Sequence, residues 1–243
     1  MNTQYLGCIV SLQVGLPRVI EVNDTGTFSG QPWTTGFFKL SVTKPVWLGN
    51  LNLDGDAQAD LENHGGLDKA VNVYPIEHYP YWTQTLSLRD LPSGAFGENF
   101  TTYGLSENEV CIGDTFQIGE SLVQVSQPRQ PCWKLARRWG IKDLAIRFQE
   151  TGRTGWYFRV LREGFVKAQD KLVLVDRRDP QWTVALANLI MHHQKNDIDA
   201  ARELANCPTL SARWRVKLWK RSTDTGMEEN NSGRLYGPNA ETI

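Results

Sequence analysis

Through roughly the first two thirds of the chain, apolar residues come in short runs broken by Gly, Pro, Asn and Asp. The runs "GCIVSLQVG", "FFKLSVTKPVWL", "AVNVYP", "DTFQIG", "SLVQVSQ", "WYFRVL" and "KLVLVD" follow one another within residues 1–173. Each has the length and the β-branched or aromatic content of a strand, and their close spacing predicts a barrel or sandwich. Two segments interrupt them with a helical period: Cys132 to Trp139, stopped by Gly140, and a run from Asp143, a good N-cap, to Glu150.

Beyond Asp179 the period changes. "DPQWTVALANLIMHH" offers Asp179 as N-cap, Pro180 at the first helical position, and Trp182, Leu186, Leu189 and Ile190 on one face. A second helix fits "DIDAARELAN", ended by Pro208, and a third fits Ser211 to Arg221 with Leu210, Trp214 and Leu218 in register. The expected organisation is a barrel domain over 1–173, a small three-helix domain over 174–222 and a flexible, aperiodic tail over 223–243.

Composition narrows the class without naming it. The 243 residues are 40% hydrophobic and 22% charged, as in a globular protein with a proper core. Lys plus Arg (26) balances Asp plus Glu (27), so no global field points to nucleic acid or a membrane. The cations Arg213, Arg215, Lys217, Lys220 and Arg221 of the last helix read as a solvated basic face, since no nucleic-acid-reading motif accompanies them. No apolar run approaches the ~20 residues of a membrane helix, and the N-terminus has no secretory signal. Cys8, Cys111, Cys132 and Cys207 form no C-x-x-C and read as free thiols of a cytoplasmic protein, with Cys111 and Cys207 packed.

Phosphate-binding, dinucleotide-binding, nucleophile-elbow and H-E-x-x-H signatures are all absent. His192 and His193 read as surface residues, and His78 as packed or hydrogen-bonded among aromatics. His64 differs, because in "ENHGGLDKAVNVYP" it precedes Gly65 and Gly66, then Asp68 and Lys69. Two glycines let a backbone approach a ligand, and His, Asp and Lys bring proton and anion chemistry to one loop; a turn satisfying its own backbone is the other reading. In "SQPRQPCWKLARRWG", Pro131 suits a first helical turn, which places Cys132 near helix N–H groups with Arg129 close by. Those conditions favour a thiolate that acts as nucleophile or soft metal ligand; an inert packed cysteine is the alternative.

The collinear segments "NHGGLDKAV", "GAFGENFTT", "CIGDTFQIG", "VSQPRQPCWKL" and "TGWYFRVLREG" resemble the MOSC domain family. With the C-terminal helices, the chain to about residue 222 is similar to the YiiM-type branch, the 6-hydroxyaminopurine reductases. The chain departs from many MOSC domains in having Gln169, in "KAQDKLVL", in place of a glycine. The resemblance implies a mainly β fold with added helices, a closed MOSC barrel that carries molybdenum cofactor (molybdopterin with molybdenum). Cys132 would be the protein ligand to molybdenum or a carrier of sulfur. His64 and Asp68 become candidate proton donors. Lys44, Lys69 and Arg129 would hold the cofactor's phosphate and dithiolene side, beside Gly65 and Gly66. Glu98 and Asn99 would form the pocket wall. The implied reaction is reduction of an N-hydroxylated base such as 6-hydroxylaminopurine. The chain carries no flavin or nicotinamide motif, so a separate flavoprotein-type donor would bring electrons, with the helices as a docking or homodimerising element. A cysteine-persulfide sulfur carrier is the second reading, and sequestration of the cofactor a third.

Overall fold

The computed structural model describes residues 4–21, 32–223 and 231–237. Its strands are β1 (Gln4–Val14), β2 (Arg18–Ile20), β3 (Trp33–Thr35), β4 (Leu40–Val42), β5 (Val46–Leu48), β6 (Val71–Pro75), β7 (Phe100–Tyr103), β8 (Thr115–Ile118), β9 (Ser121–Pro128), β10 (Trp156–Arg162), β11 (Gly164–Val166) and β12 (Lys171–Asp176). Seven of them close a ring in the order β1-β12-β8-β9-β10-β6-β7 and back to β1, with β4 paired to the far end of β1. The predicted barrel is therefore present. All neighbours in the ring are antiparallel except β6 and β7. β2 pairs with β3, and β5 with β11, as two-stranded sheets outside it.

The barrel fills with the inward residues of these strands, among them Val71, Val73, Phe100, Phe116, Val123, Val125 and Phe158. In β1 a register shift between Ile9 and Ser11 lets Ile9 and Leu12, three apart, both enter this core. Strand β6 is buried at every position, because its second face is covered too. There Tyr74 joins an aromatic cluster that includes Tyr79 and Trp82 of α2 (Tyr79–Leu86), Phe96, and Phe148 of a later helix. Trp82 stacks on Phe148 with centroids 4.2 Å apart and planes 7° apart, and its Nε1 donates to the Tyr74 hydroxyl at 2.6 Å. Before α2 lies the short α1 (Leu61–His64).

The two predicted interruptions are α3 (Lys134–Trp139), closed by Gly140 in the left-handed conformation (φ 68°), and α4 (Leu144–Thr151). Helix α3 begins two residues later than expected, so Cys132 stands in the approach to the helix. Asp143 sits at the N-cap of α4 but makes no cap bond; its carboxylate accepts from Arg147 Nε at 2.9 Å. Gln169 takes φ 74°, so a residue with a Cβ occupies a left-handed turn.

Three helices follow, α5 (Val184–His192), α6 (Ile198–Ala205) and α7 (Ala212–Thr223). The first starts later than the sequence suggests. Thr183 caps it by accepting from Leu186 N–H at 3.0 Å, whereas the expected cap, Asp179, accepts from Thr209 Oγ1 at 3.0 Å. Thr183 wins because residues 180–182 remain in the crossing from the barrel, where Ile112 N–H donates to Trp182 O and Val184 N–H to Val110 O, both at 2.8 Å. His192 is a second correction: it is 7% exposed, edge-on to Trp214, and burial with nearby cations pushes its pKa down to about 2. The 223–243 region, expected as a flexible tail, includes a short helix, α8 (Ser232–Leu235); the rest of it beyond Thr223 and Gly237 lies outside the described residues.

The three helices share one continuous apolar core with the barrel, through Val184, Ile190, Leu204, Trp214 and Leu218. The helices and the barrel therefore bury their apolar faces against one another. Leu218 is fully buried in that core. Leu218→Ala should cost about 2–5 kcal/mol, with barrel and helices melting in a single transition by calorimetry. Two separated transitions would contradict a common core.

Candidate functional site

Cys132 lies where two cavities meet. A narrow slot of about 70 Å³ runs into the barrel end and is lined by Lys39, Asn99, Arg129 and Lys134 among others. A wider cavity of about 510 Å³ opens between the barrel, α7 and α8. His64, Lys69, Gln130, Cys132 and Tyr157 border both. The chain reaches this junction from β9: Pro128 ends the strand, Arg129 N–H donates to Gly155 O at 3.1 Å, and Cys132 follows.

The Cys132 sulfur is 3.4 Å from His64 Nε2. On the other side of the ring, His64 Nδ1 stands 3.4 Å from Asp60 Oδ2, though without hydrogen-bond alignment. Asp60 is itself fixed as the cap of α1, accepting from Asn63 N–H at 2.9 Å. Thiol, imidazole and carboxylate thus stand in a row. Burial opposes ionisation of Cys132, but the His64 hydrogen bond and charge, the Lys134 main-chain N–H and the Arg129 guanidinium outweigh it and lower its pKa to about 7. Alkylation of cofactor-free protein by iodoacetamide at Cys132, followed by peptide mass spectrometry, should therefore rise through about pH 7. His64→Ala should move that midpoint up toward the ordinary thiol value of about 8.5. A midpoint near 8.5 in the parent would contradict the arrangement.

Arg129 is 5% exposed; its Nη2 donates to Phe96 O at 2.6 Å, and its Nη1 is buried with no protein partner. A buried guanidinium nitrogen without an acceptor costs free energy, so its presence beside the slot favours an oxygen-rich or anionic guest. Lys69 donates to Asn63 O at 2.6 Å, and burial together with the Arg213 charge lowers its pKa to about 8. Asn99 lines the slot with all its amide groups engaged, donating to Asp56 and Gln13 O and accepting from Asn72 N–H.

Five expected site residues are placed elsewhere or used differently. Lys44 is exposed between β4 and β5 and borders neither cavity. Lys39 lines the slot in its place, beside Lys69 and Lys134, with a side chain 6% exposed and paired to Asp56. Asp68 turns away from Cys132 to hold Arg159 at 2.9 Å and accept from Ala212 N–H at 3.3 Å. Its loop is stapled by Ser126 Oγ, which donates to Asp68 O. Glu98 is fully buried behind the wall, accepting from Gly94 N–H (2.7 Å), Phe96 N–H (3.0 Å), Thr101 Oγ1 (3.0 Å) and the Tyr79 hydroxyl. It shapes the loop that presents Phe96 O to Arg129. The two loop glycines serve the backbone: a Cβ on Gly65 would come within 2.8 Å of Leu61 O, whereas Gly66 faces open space at φ 97°.

Residues that sequence reasoning passed over complete the junction. They are Lys39, Asp60, Lys134 and Tyr157, the last 9% exposed and held protonated by burial. Only Asp60 carried a local signal, as an N-cap four residues before His64. Among the described residues no group of three or more His, Cys, Asp or Glu is set to hold a bare metal ion. The donor set of one soft thiolate amid cations suits a metal that arrives with its own organic, anionic ligand.

A closed barrel with one activated cysteine between two cavities, covered by three helices that share its core, defines the class. Residues 60–173 match the family model described as MOSC domain, and residues 182–221 match the YiiM-like, 3-alpha helix domain. The chain is 45% identical to "Uncharacterized protein YflK" of Bacillus subtilis over 88% of its length and 93% of the relative's, and 41% identical to "Protein YiiM" of Escherichia coli over 82% and 89%. The crystal structure of YiiM from Geobacillus stearothermophilus superposes with a TM-score of 0.74 at 40% identity, covering 89% of this chain and 99% of that one. A fungal protein from Gibberella moniliformis named "Reductase" is 34% identical over 82% of this chain, which spans 35% of its length. The chain belongs to the YiiM-type branch of the MOSC family.

Proposed function

We propose that the protein is a molybdenum-cofactor-dependent reductase that converts N-hydroxylated nucleobases to the parent amines. The observation that carries the reading is the Cys132 thiol, its pKa lowered to about 7, set against His64 at the meeting point of a cation-lined slot and a wider cavity. The "Reductase" name of the fungal relative supports the reaction class.

In this reading Cys132 anchors the cofactor, and Arg129 and Lys134 hold its anionic parts along the slot. When bound, the cofactor supplies the two-electron redox chemistry that cleaves the N–O bond. The balanced reaction is R–NHOH plus two electrons and two protons giving R–NH₂ and water. His64 stands within reach to deliver a proton at the junction, with the Asp60 carboxylate 3.4 Å from the far side of its ring. Tyr157, protonated and on both cavities, is the second donor in reach. The electrons come from a separate donor protein.

Metal and sulfur analysis separates this from the carrier reading. Protein purified from cells that make the cofactor should contain molybdenum and fluorescent pterin oxidation products, in proportion to one another. Cyanide-labile sulfur on Cys132 without molybdenum would instead establish the persulfide carrier.

A further inference from the structure

The wider cavity carries more charge and more recognition chemistry than a neutral base requires. Arg213 of α7 and Lys69 of the barrel loop both line it, side by side on the Glu62–Asn63 turn. Their protein partners are neutral oxygens: Arg213 donates to Glu62 O and Asn63 Oδ1, both at 2.9 Å, and Lys69 to Asn63 O at 2.6 Å. Among the described residues no carboxylate lies within 4.0 Å of either cation. Lys217 and Arg234 add two more positive side chains to the same lining, the first donating to Asn231 Oδ1 and the second to Pro131 O and Gln149 Oε1. The one acid of the lining, Asp60, is turned to Asn63 and His64.

A second observation is independent of charge. Gln127 and Trp214, each 2% exposed, line the cavity and keep a polar atom with no protein partner: Gln127 Oε1, an acceptor, and Trp214 Nε1, a donor. Gln130 Nε2 on the same wall is also without one. Buried polar groups left this way are costly unless a guest engages them, and a mixed set of donors and acceptors matches the edge of a nucleobase. The cavity, about 510 Å³, falls in the range of roughly 300–1,000 Å³ typical of small-molecule sites.

We propose that this cavity takes the N-hydroxylated base as its phosphorylated nucleotide, the base lying toward Cys132 against Gln127, Gln130 and Trp214, and the phosphate held by Lys69, Arg213 and the neighbouring cations of α7. The inference rests on the reductase reading for the reaction, but the ligand class stands on the cavity alone. Lys69 and Arg213, bonded only to neutral oxygens, bind phosphate through charge-assisted hydrogen bonds, whereas a free base would leave their charge uncompensated. It also gives the helical appendage a role in specificity, since Arg213, Trp214 and Lys217 all come from α7.

The test compares N6-hydroxyadenine with N6-hydroxyadenosine 5′-monophosphate on cofactor-loaded protein. The monophosphate should have the higher kcat/KM, its advantage should fall about 10- to 100-fold in Arg213→Gln, and molybdenum content should stay at the parental level. Inorganic phosphate should compete with the monophosphate on the parent protein, so the result does not depend on that variant folding. Equal or better use of the free base, with no change in the ratio in Arg213→Gln and no competition by phosphate, would overturn the proposal while leaving the reductase intact. Loss of molybdenum in Arg213→Gln with the ratio unchanged would overturn it too, because the phosphate held there would then be the cofactor's. If neither compound is reduced, the reductase reading fails, and calorimetry decides the ligand class: adenosine 5′-monophosphate binding more tightly than adenine sustains it, and equal or weaker binding ends it.

Discussion

Cys132→Ser should leave a folded barrel that neither retains molybdenum nor reduces substrate. The side chain is only partly buried and the replacement is nearly isosteric, so melting should shift little, while the soft thiolate is lost to a hydroxyl that does not ionise in the working range. Cys8→Ser, Cys111→Ser and Cys207→Ser should each keep metal and activity. Cys111 faces Pro180 O with burial raising its pKa, and Cys207 contacts Thr209 and Asp179, far from ligand chemistry. Full molybdenum content in Cys132→Ser, by mass spectrometry of the purified protein, would remove the anchoring role.

His64→Ala should behave differently, with cofactor occupancy largely kept and kcat reduced about 10²- to 10⁴-fold, the usual scale for a positioned proton donor. The KM should change little. Asp60→Asn acts through the His64 ring, so it should lower kcat less and shift the Cys132 alkylation midpoint in the same direction as His64→Ala. Loss of molybdenum in His64→Ala equal to that in Cys132→Ser would mean that the imidazole only shapes the thiol. An unchanged kcat would pass the donor role to Tyr157.

The barrel was legible because a strand writes its period locally: "SLVQVSQ" alternates, and Val123 and Val125 turn inward as the alternation requires. The amphipathic faces around Trp214 and Leu218 likewise announce that something covers them. They do not say what, and the answer, the barrel's own core, depends on contacts across the whole chain. Asp179-Pro180 carries a stronger start signal than Thr183, yet the chain is still crossing from the barrel there, and tertiary hydrogen bonds override the local preference. At the site, Cys132, His64, Lys69, Asn99 and Arg129 were found from sequence and all border a cavity at the junction. Lys39 was missed because its partner, Asp56, is 17 residues away and no short-range rule joins them. Glu98, expected in the pocket wall, lies behind it, because its carboxylate is consumed by the loop's own amides, a pairing that no sequence pattern displays. Asp68 was misread for a like reason: its partner Arg159 comes from β10, where no local pattern foretells it.

The central claim is that Cys132 holds a redox centre that removes oxygen from an N-hydroxylated base. Its most direct test is a single turnover: cofactor-loaded protein is reduced with dithionite, freed of excess reductant under anaerobic conditions, and mixed with excess N6-hydroxyadenine. The adenine formed is then measured against bound molybdenum. The account predicts adenine in about a one-to-one ratio to molybdenum, and none from the molybdenum-free protein or from Cys132→Ser. No adenine from the loaded protein, or the same yield with and without molybdenum, would contradict it.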